Sequence, residues 1–146
     1  MIIKQIAFIT LATLIAACTA TTNVRPVRTK LDQVCIERNP TVEVTDMLDA
    51  IEANLNRHGI KTRVFDVSPA PCQYRLTYDA SRRWDISAFL SDAQISILQD
   101  RELIGRAEYQ LPAGIFGGGG ANPNKWRGTA FKIDPVMDQM LNEFHK

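Results

Sequence analysis

Between residues 60 and 111 the side chains alternate between apolar and polar, and short polar turns interrupt the alternation. A period of two residues is typical of a β-strand with one buried face. The pattern predicts four strands, at residues 60–67, 72–80, 84–99 and 103–111. Near Ser91-Asp92 the apolar phase of the third strand slips by one residue, which predicts a β-bulge. Because short turns join antiparallel neighbours, these segments predict an antiparallel sheet.

Two amphipathic helices and one more strand complete the pattern. Apolar side chains recur at helical spacing over residues 41–58 and again from Ile133 to the C-terminus. Asp134 as a cap and Pro135 as a first helical residue place the main start of the second helix there, with an earlier turn from Trp126 left open. A strand at residues 31–37 precedes the first helix. The predicted order is β-α-β-β-β-β-α, a two-layer α+β domain in which an antiparallel sheet of about five strands carries two helices on one face.

Length and composition narrow the class of protein. The 146 residues suffice for one domain of ordinary size, and 45% hydrophobic with 23% charged residues is the balance of a folded chain. The 17 Lys and Arg residues are offset by 16 Asp and Glu residues. This balance argues against a sequence-independent nucleic-acid binder and against a polybasic membrane-surface patch. We therefore expect no nucleic-acid partner.

The N-terminus resembles an export signal. Lys4 is followed by an apolar run, residues 6–17, that is shorter than the roughly 20 residues needed to cross a bilayer. The segment Leu14-Ile15-Ala16-Ala17-Cys18 resembles the lipobox of bacterial lipoproteins, with Ile15 where that family most often has Leu. In that family a lipid is attached to the cysteine sulfur, the chain is cut just before it, and the new amine is acylated. The resemblance implies that residues 1–17 are a signal peptide and that Cys18 is lipidated.

The resemblance also implies a location. Several acyl chains on one residue give lasting membrane attachment. In enteric bacteria, lipoproteins that stay in the inner membrane carry Asp directly after the lipidated cysteine, and this chain has Thr19 there. We therefore expect the protein to be anchored in the outer membrane, with its domain facing the periplasm. The alternatives are an ordinary signal peptide or an N-terminal membrane helix, with Cys18 incidental. We predict that residues 18–30 form a flexible tether and that residues 31–146 fold into a single periplasmic domain.

Two further cysteines, Cys35 and Cys72, predict a disulfide bond in an oxidising compartment. Two buried free thiols, or one reactive thiol, are the alternatives. A nucleophilic cysteine needs a positioned base, and the two histidines, His58 and His145, each lie near a predicted helix end. No zinc-site spacing, calcium loop or catalytic triad is present. We therefore expect no catalytic site, metal or cofactor.

Two tryptophans are candidates for an interaction surface. Trp84 lies beside Arg82 and Arg83 at a predicted hairpin tip, and Trp126 lies beside Arg127. Trp and Arg together are typical of binding hot spots. They are equally typical of domain edges, where the ring packs and the indole N–H finds a carbonyl.

A loop at residues 112–124 contains four consecutive glycines. It lacks the Gly-Lys-Ser/Thr of a phosphate-binding loop, so a mobile connector is the better interpretation. Ile115 and Phe116, beside the glycines, either tuck under the end of the sheet or dock a partner. Both belong to the candidate interaction surface.

The element order is similar to that of small periplasmic lipoproteins, such as the lipopolysaccharide-assembly lipoprotein and related envelope accessory proteins. The likeness covers architecture only, no motif is aligned, and fold does not decide function. We predict a non-enzymatic binding or assembly accessory of the cell envelope, with the membrane and an envelope protein as partners. The alternative is a small-ligand carrier with an apolar pocket between helices and sheet.

Overall fold

The structure is a computed structural model that describes residues 20–112, 122 and 124–142. The described elements are β1 (Thr21–Arg25), β2 (Gln33–Glu37), α1 (Met47–Arg57), β3 (Lys61–Phe65), β4 (Tyr74–Asp85), β5 (Ser87–Gln99), β6 (Glu102–Gln110) and α2 (Thr129–Leu141). Within these residues no helix is long and apolar enough to cross a membrane. The predicted lipidation site Cys18 and the candidate surface residues Ile115 and Phe116 lie outside the described residues.

The sheet has six strands in the order β1-β6-β5-β4-β2-β3. The α+β class is confirmed, but the prediction of about five strands in a purely antiparallel sheet is wrong. Strand β2 runs parallel to both β3 and β4. Parallel neighbours need a long crossover, and α1 provides it between β2 and β3. The sequence did predict a helix between these two strands, and a helix in that position is the feature that could have indicated a parallel β2–β3 pair.

Strand β1 occupies the segment that was predicted to be a flexible tether. It pairs antiparallel with β6 from Thr21, opposite Gln110, onward. The chain stays attached beyond the strand, because the amide of Val27 donates a hydrogen bond to the carbonyl of Met140 at 2.8 Å. Val27 and Leu31 are both buried. This strand could not be predicted from the sequence, because an edge strand that buries little side-chain surface shows no apolar alternation.

The β4–β5 hairpin is longer than predicted. The turn expected at residues 81–83 is wrong, because pairing continues to Asp85 and Ser87 and the chain reverses at Ile86, where φ is +63°. The predicted bulge is confirmed: the pairing skips Ser91, whose hydroxyl donates to the carbonyl of Ser81 at 3.1 Å. The bulge therefore separates the hairpin into a lower part within the sheet and an upper part that projects from it.

Helix α1 begins at Met47, later than the predicted residue 41. The Asn39 side chain forms a local turn ahead of the helix, because it accepts a hydrogen bond from the amide of Thr41 and donates one to the carbonyl of Tyr78, both at 3.0 Å. This local turn competes with the helix for the same backbone groups.

Helix α2 begins at Thr129, earlier than the predicted start at Asp134 and Pro135. Pro135 lies inside the helix, where it cannot donate to the carbonyl of Phe131. Tertiary contacts compensate for the lost bond: Thr129 donates from its hydroxyl to the Asp46 carboxylate at 2.7 Å, and Lys132 is buried. These contacts explain why the helix starts before its proline.

Both helices pack against each other and against the sheet, as the two-layer prediction requires. The apolar side chains between the layers form one buried cluster, which includes Val34, Ile36, Met47, Ile51, Leu55, Leu76, Ile95, Ile97, Ile133, Met137, Met140 and Leu141. The small-ligand carrier considered above would need an apolar pocket between helices and sheet, and these buried side chains fill that space.

Candidate interaction surface

The structure brings the two predicted tryptophan segments to the same end of the domain. The indole N–H of Trp126 donates a hydrogen bond to the backbone carbonyl of Asp85 at 3.0 Å. Asp85 ends β4 and directly follows Trp84. The segment before α2 is therefore fastened to the tip of the β4–β5 hairpin.

Lys125 reinforces this attachment. Its ammonium forms an ion pair with the carboxylate of Asp85 and lies 4.4 Å from the centre of the Trp126 ring. The Lys125 side chain is almost fully buried. A cation held over an indole and paired with a carboxylate fixes the position of both partners. Lys125 therefore has a structural role here, and the charge of Asp85 is compensated within the domain.

Four large apolar side chains at this end are exposed, and we call them the aromatic end: Trp84 (75% exposed), Ile86 (83%), Trp126 (45%) and Phe131 (47%). Of the large hydrophobic side chains that the structure describes as exposed, only Val67 lies elsewhere. Exposed apolar groups that gather in one place mark surfaces that meet a partner or a membrane.

Arginines surround the aromatic end. The Arg127 guanidinium lies 4.1 Å from the centre of the Phe131 ring. Arg82 is exposed on the hairpin, and Arg83 lies 3.9 Å from the carboxylate of Asp92. The predicted residues Arg82, Arg83 and Arg127 are thus close to the tryptophans that suggested them.

Sequence reasoning missed Ile86 and Phe131 as surface residues. Ile86 was assigned to the apolar phase of a strand, but it occupies the turn. Phe131 was placed before the start of the second helix, whereas it lies in the first turn of α2. The long hairpin and the early helix start were the missing information, and neither has a local sequence signal.

Lys132 is a buried cation beneath this surface. Its ammonium donates hydrogen bonds to the carbonyls of Leu90 and Lys125, and it lies 5.5 Å from the centre of the Phe89 ring. Burial lowers the pKa of Lys132 to about 8. Since two carbonyls hold its protons, the ammonium joins α2 to the base of the upper hairpin and is not directed at solvent.

A second polar cluster joins the two helices. Asn54 donates to the carboxylates of Asp134 and Asp138 at 2.8 and 3.0 Å, and Arg57 reaches the same two groups. The His58 ring lies 2.9 Å from Asp138. Burial acts to raise the pKa of Asp138, but the hydrogen bonds from His58, Asn54 and Arg57 outweigh it and hold the pKa below its usual range. Asp134, which was predicted to cap a helix, instead connects two helices.

Cys35 and Cys72 form a disulfide bond, with their Cα atoms 6.3 Å apart. It joins β2 to the loop before β4. The predicted bond is confirmed, and the alternatives of free or reactive thiols are wrong for these two residues. The two cysteines are 37 positions apart in the sequence. Their bond links β2, which pairs in parallel, to the segment that leads into β4, which also pairs antiparallel with β5.

The face of the sheet away from the helices carries a shallow polar groove of about 310 Å³, lined in part by Asp79, Asp92, Gln94 and Glu108. Within residues 20–112, 122 and 124–142, no three His, Cys, Asp or Glu side chains are grouped so that they could hold a metal ion. The groove presents acidic and amide groups to solvent, and their arrangement indicates no particular reaction.

No protein-family model and no curated protein matches the chain. Among solved structures, it is similar to a variant of the PelC dodecamer from Paraburkholderia phytofirmans, at 15% identity and a TM-score of 0.48, over 62% of this chain and 78% of that one. A minor lipoprotein from Acinetobacter baumannii is similar at 14% identity and a TM-score of 0.41, over 80% of this chain and 92% of that one. TolB from the same organism is similar at 10% identity and a TM-score of 0.43, over 66% of this chain and 27% of TolB. Likenesses this distant assign the chain to no family and to no function.

Proposed function

We propose that this protein is a periplasmic accessory of the bacterial outer membrane, anchored by lipid on Cys18, that binds or assembles an envelope component without catalysing a reaction. The lipobox resemblance of residues 14–18 supports the anchor. The Cys35–Cys72 disulfide fits an oxidising compartment such as the periplasm.

The observation that carries the proposal is the short chain between the anchor and the fold. Strand β1 begins at Thr21, three residues after Cys18. Three residues of fully extended chain span at most about 11 Å. A lipid on Cys18 would therefore hold the domain directly against the membrane, which suits a protein that works at the membrane surface.

The opposite edge of the sheet offers a place for a partner. Strand β3 is the last strand of the sheet, on the edge farthest from β1. An edge strand can accept an added strand from another protein through main-chain hydrogen bonds. Lys61 and Arg63 on this strand favour a partner strand with acidic side chains. This edge supports an accessory role, whereas the filled interior gives no support to a small-ligand carrier.

The anchor is tested by replacing Cys18 with Ala and separating inner and outer membranes on a density gradient. We expect the wild-type chain in the outer-membrane fraction, with acyl chains on the Cys18 peptide by mass spectrometry. The variant Cys18→Ala loses both properties. As a matched control, Thr19→Asp keeps the acyl chains and moves to the inner-membrane fraction. An unacylated wild-type chain contradicts the anchor.

The partner is tested by photo-crosslinking in the native envelope. A crosslinking side chain at Arg63 on β3 should capture a discrete envelope protein, whereas the same group at Asp49, on the exposed face of α1, should not. Equal products from both positions, or none from Arg63, contradict binding at this edge.

A further inference from the structure

We propose that the aromatic end docks on the phospholipid surface of the same bilayer that holds the lipid on Cys18. This inference rests on the proposed anchor. It gives the anchored domain a fixed orientation, with the aromatic end in the headgroup layer and the β3 edge on the far side of the sheet.

The topology places the anchor and the aromatic end together. Thr21 lies opposite Gln110 on β6, Gln110 opposite Asp92 on β5, and Asp92 opposite Ser81 on β4. The beginning of β1 is therefore level with the point at which the β4–β5 hairpin leaves the sheet. Ala20, just before β1, shares a groove with Phe131 of α2. Phe131 of the aromatic end thus lies near Ala20, and the hairpin that carries Trp84 and Ile86 leaves the sheet at the level where β1 begins.

The hairpin reaches farther than the anchor segment. From Ser81 to the turn residue Ile86 the strand advances five residues, roughly 16 Å at the usual rise of a strand. The chain from Thr21 back to Cys18 spans at most about 11 Å. When the strands stand along the membrane normal, the hairpin tip meets the bilayer before the anchor segment is fully extended. An anchored domain in that orientation therefore cannot keep its tip away from the lipid.

The side chains at the tip suit the headgroup layer. Tryptophan prefers the interface between water and hydrocarbon, and exposed Ile and Phe gain free energy when lipid covers them. Arg82 and Arg127 are exposed beside the rings and can donate to phosphate oxygens. The carboxylate of Asp85 is paired with Lys125, which reduces repulsion from anionic headgroups. Binding of this surface to lipid would depend mainly on aromatic and apolar side chains and on few cations. This agrees with the even balance of charges in the whole chain.

The chain provides its own reporters, because Trp84 and Trp126 are its two tryptophans. The acylated protein is reconstituted into vesicles of phosphatidylethanolamine and phosphatidylglycerol, either unmodified or brominated near the headgroup end of the acyl chains. We expect a loss of tryptophan fluorescence in the brominated vesicles relative to the unmodified ones. The variants Trp84→Phe and Trp126→Phe each leave one reporter, and the remaining one should still be quenched.

A variant that leaves the fold intact tests the apolar contact. Ile86 has a positive φ, which Asn tolerates better than a β-branched residue, so Ile86→Asn should fold at least as well as the wild type. It should reduce the quenching of both tryptophans. The matched control is Val67→Asn, which removes an equally exposed apolar side chain just after β3, and it should leave the quenching unchanged.

The outcomes separate docking from anchoring. An acylated chain that floats with the vesicles but shows no bromine-dependent quenching overturns docking and leaves the anchor intact. If the tryptophan fluorescence changes equally in brominated and unmodified vesicles, and the change depends on protein concentration, a second copy of the chain covers the surface. That result also overturns docking. A chain without acyl groups on Cys18 overturns both proposals, and mass spectrometry of that peptide identifies this case.

Discussion

The indole of Trp126 and the carbonyl of Asp85 are 3.0 Å apart, although 41 residues separate them in the sequence. This hydrogen bond connects the end of β4 to the segment that leads into α2. It also gives the two tryptophans different roles: Trp126 is fastened to the domain, whereas Trp84, at 75% exposure, projects from it.

The two tryptophans should therefore differ in their effect on stability. Trp126→Phe removes the donor to Asp85 and should lower the free energy of unfolding by about 1 kcal/mol. Trp84→Phe changes an exposed ring and should alter it by less than about 0.5 kcal/mol. Urea unfolding followed by circular dichroism measures both variants. Equal effects at the two positions contradict the roles assigned here.

Gly105 tests whether the chain after β1 is packed or loose. A Cβ on Gly105 would collide with the side chain of Val27 and touch Met140 at 3.4 Å. Gly105→Ala should therefore lower the free energy of unfolding by about 1–3 kcal/mol, the usual range for overpacking. Thermal and urea unfolding measure the loss.

Two further variants complete this test. Gly128→Ala is the control without a packing clash, because nothing lies within 4 Å of its Cβ position, and since Gly128 is the N-cap of α2 it should cost less than about 1 kcal/mol. Adding Val27→Ala to Gly105→Ala should recover part of the loss in a double-mutant cycle. Absence of recovery would indicate that residues 26–30 do not pack against β6.

The local patterns in the sequence predicted most elements of this fold. Alternation predicted β3 to β6, and the phase slip near Ser91 located the bulge, because both reflect side chains that alternate between one buried and one exposed face. The cysteine count predicted the disulfide. These features depend on residues close in sequence or on simple chemistry.

Long-range features were not predictable in the same way. The parallel placement of β2 depends on which neighbour it finds in the sheet, and β1 has no apolar alternation that would reveal it. The candidate surface was predicted in part, since Trp84 and Trp126 were identified from the arginines beside them in the sequence. Their convergence depends on the hydrogen bond to Asp85, which no local pattern encodes.

The disulfide should contribute strongly to stability. The double variant Cys35→Ala/Cys72→Ala opens a loop of 37 positions. Loop-entropy arithmetic for that length gives an upper figure of about 4 kcal/mol, and measured losses are commonly about 2–4 kcal/mol. Urea unfolding of the variant and of the reduced wild-type domain should give similar losses. Thiol titration of the wild-type protein serves as the control, and free Cys35 and Cys72 in periplasmic material would contradict the bond.

Asp138 should contribute to stability in a pH-dependent way. Its pKa is held below the usual range, so its contribution is present above the unfolded value of about 3.9 and is lost as the pH falls through the lower folded value. Asp138→Asn removes the charge that His58, Asn54 and Arg57 contact, and should cost about 1–2 kcal/mol at pH 7. Urea unfolding from about pH 7 down to about pH 3, a range that spans the unfolded value of about 3.9, should show a smaller decline for the variant. Asp49→Asn, on the exposed face of α1, is the matched control and should follow the wild type.

Lys132 should produce a trend of the same sign at alkaline pH, because its pKa is also lowered in the folded chain. Burial lowers its pKa to about 8, whereas an unfolded lysine titrates near 10.4, so between these values the unfolded chain binds more protons than the folded one. The free energy of unfolding should therefore rise with pH in that window, by at most about 1.4 kcal/mol per pH unit. The raised pKa of Tyr109, caused by burial and by the charge of Asp92, opposes this rise only near and above about pH 10. Urea unfolding from about pH 7.5 to about 9.5 isolates the lysine, and Lys132→Met should abolish the rise, while a variant that retains the full slope would show that another group is responsible.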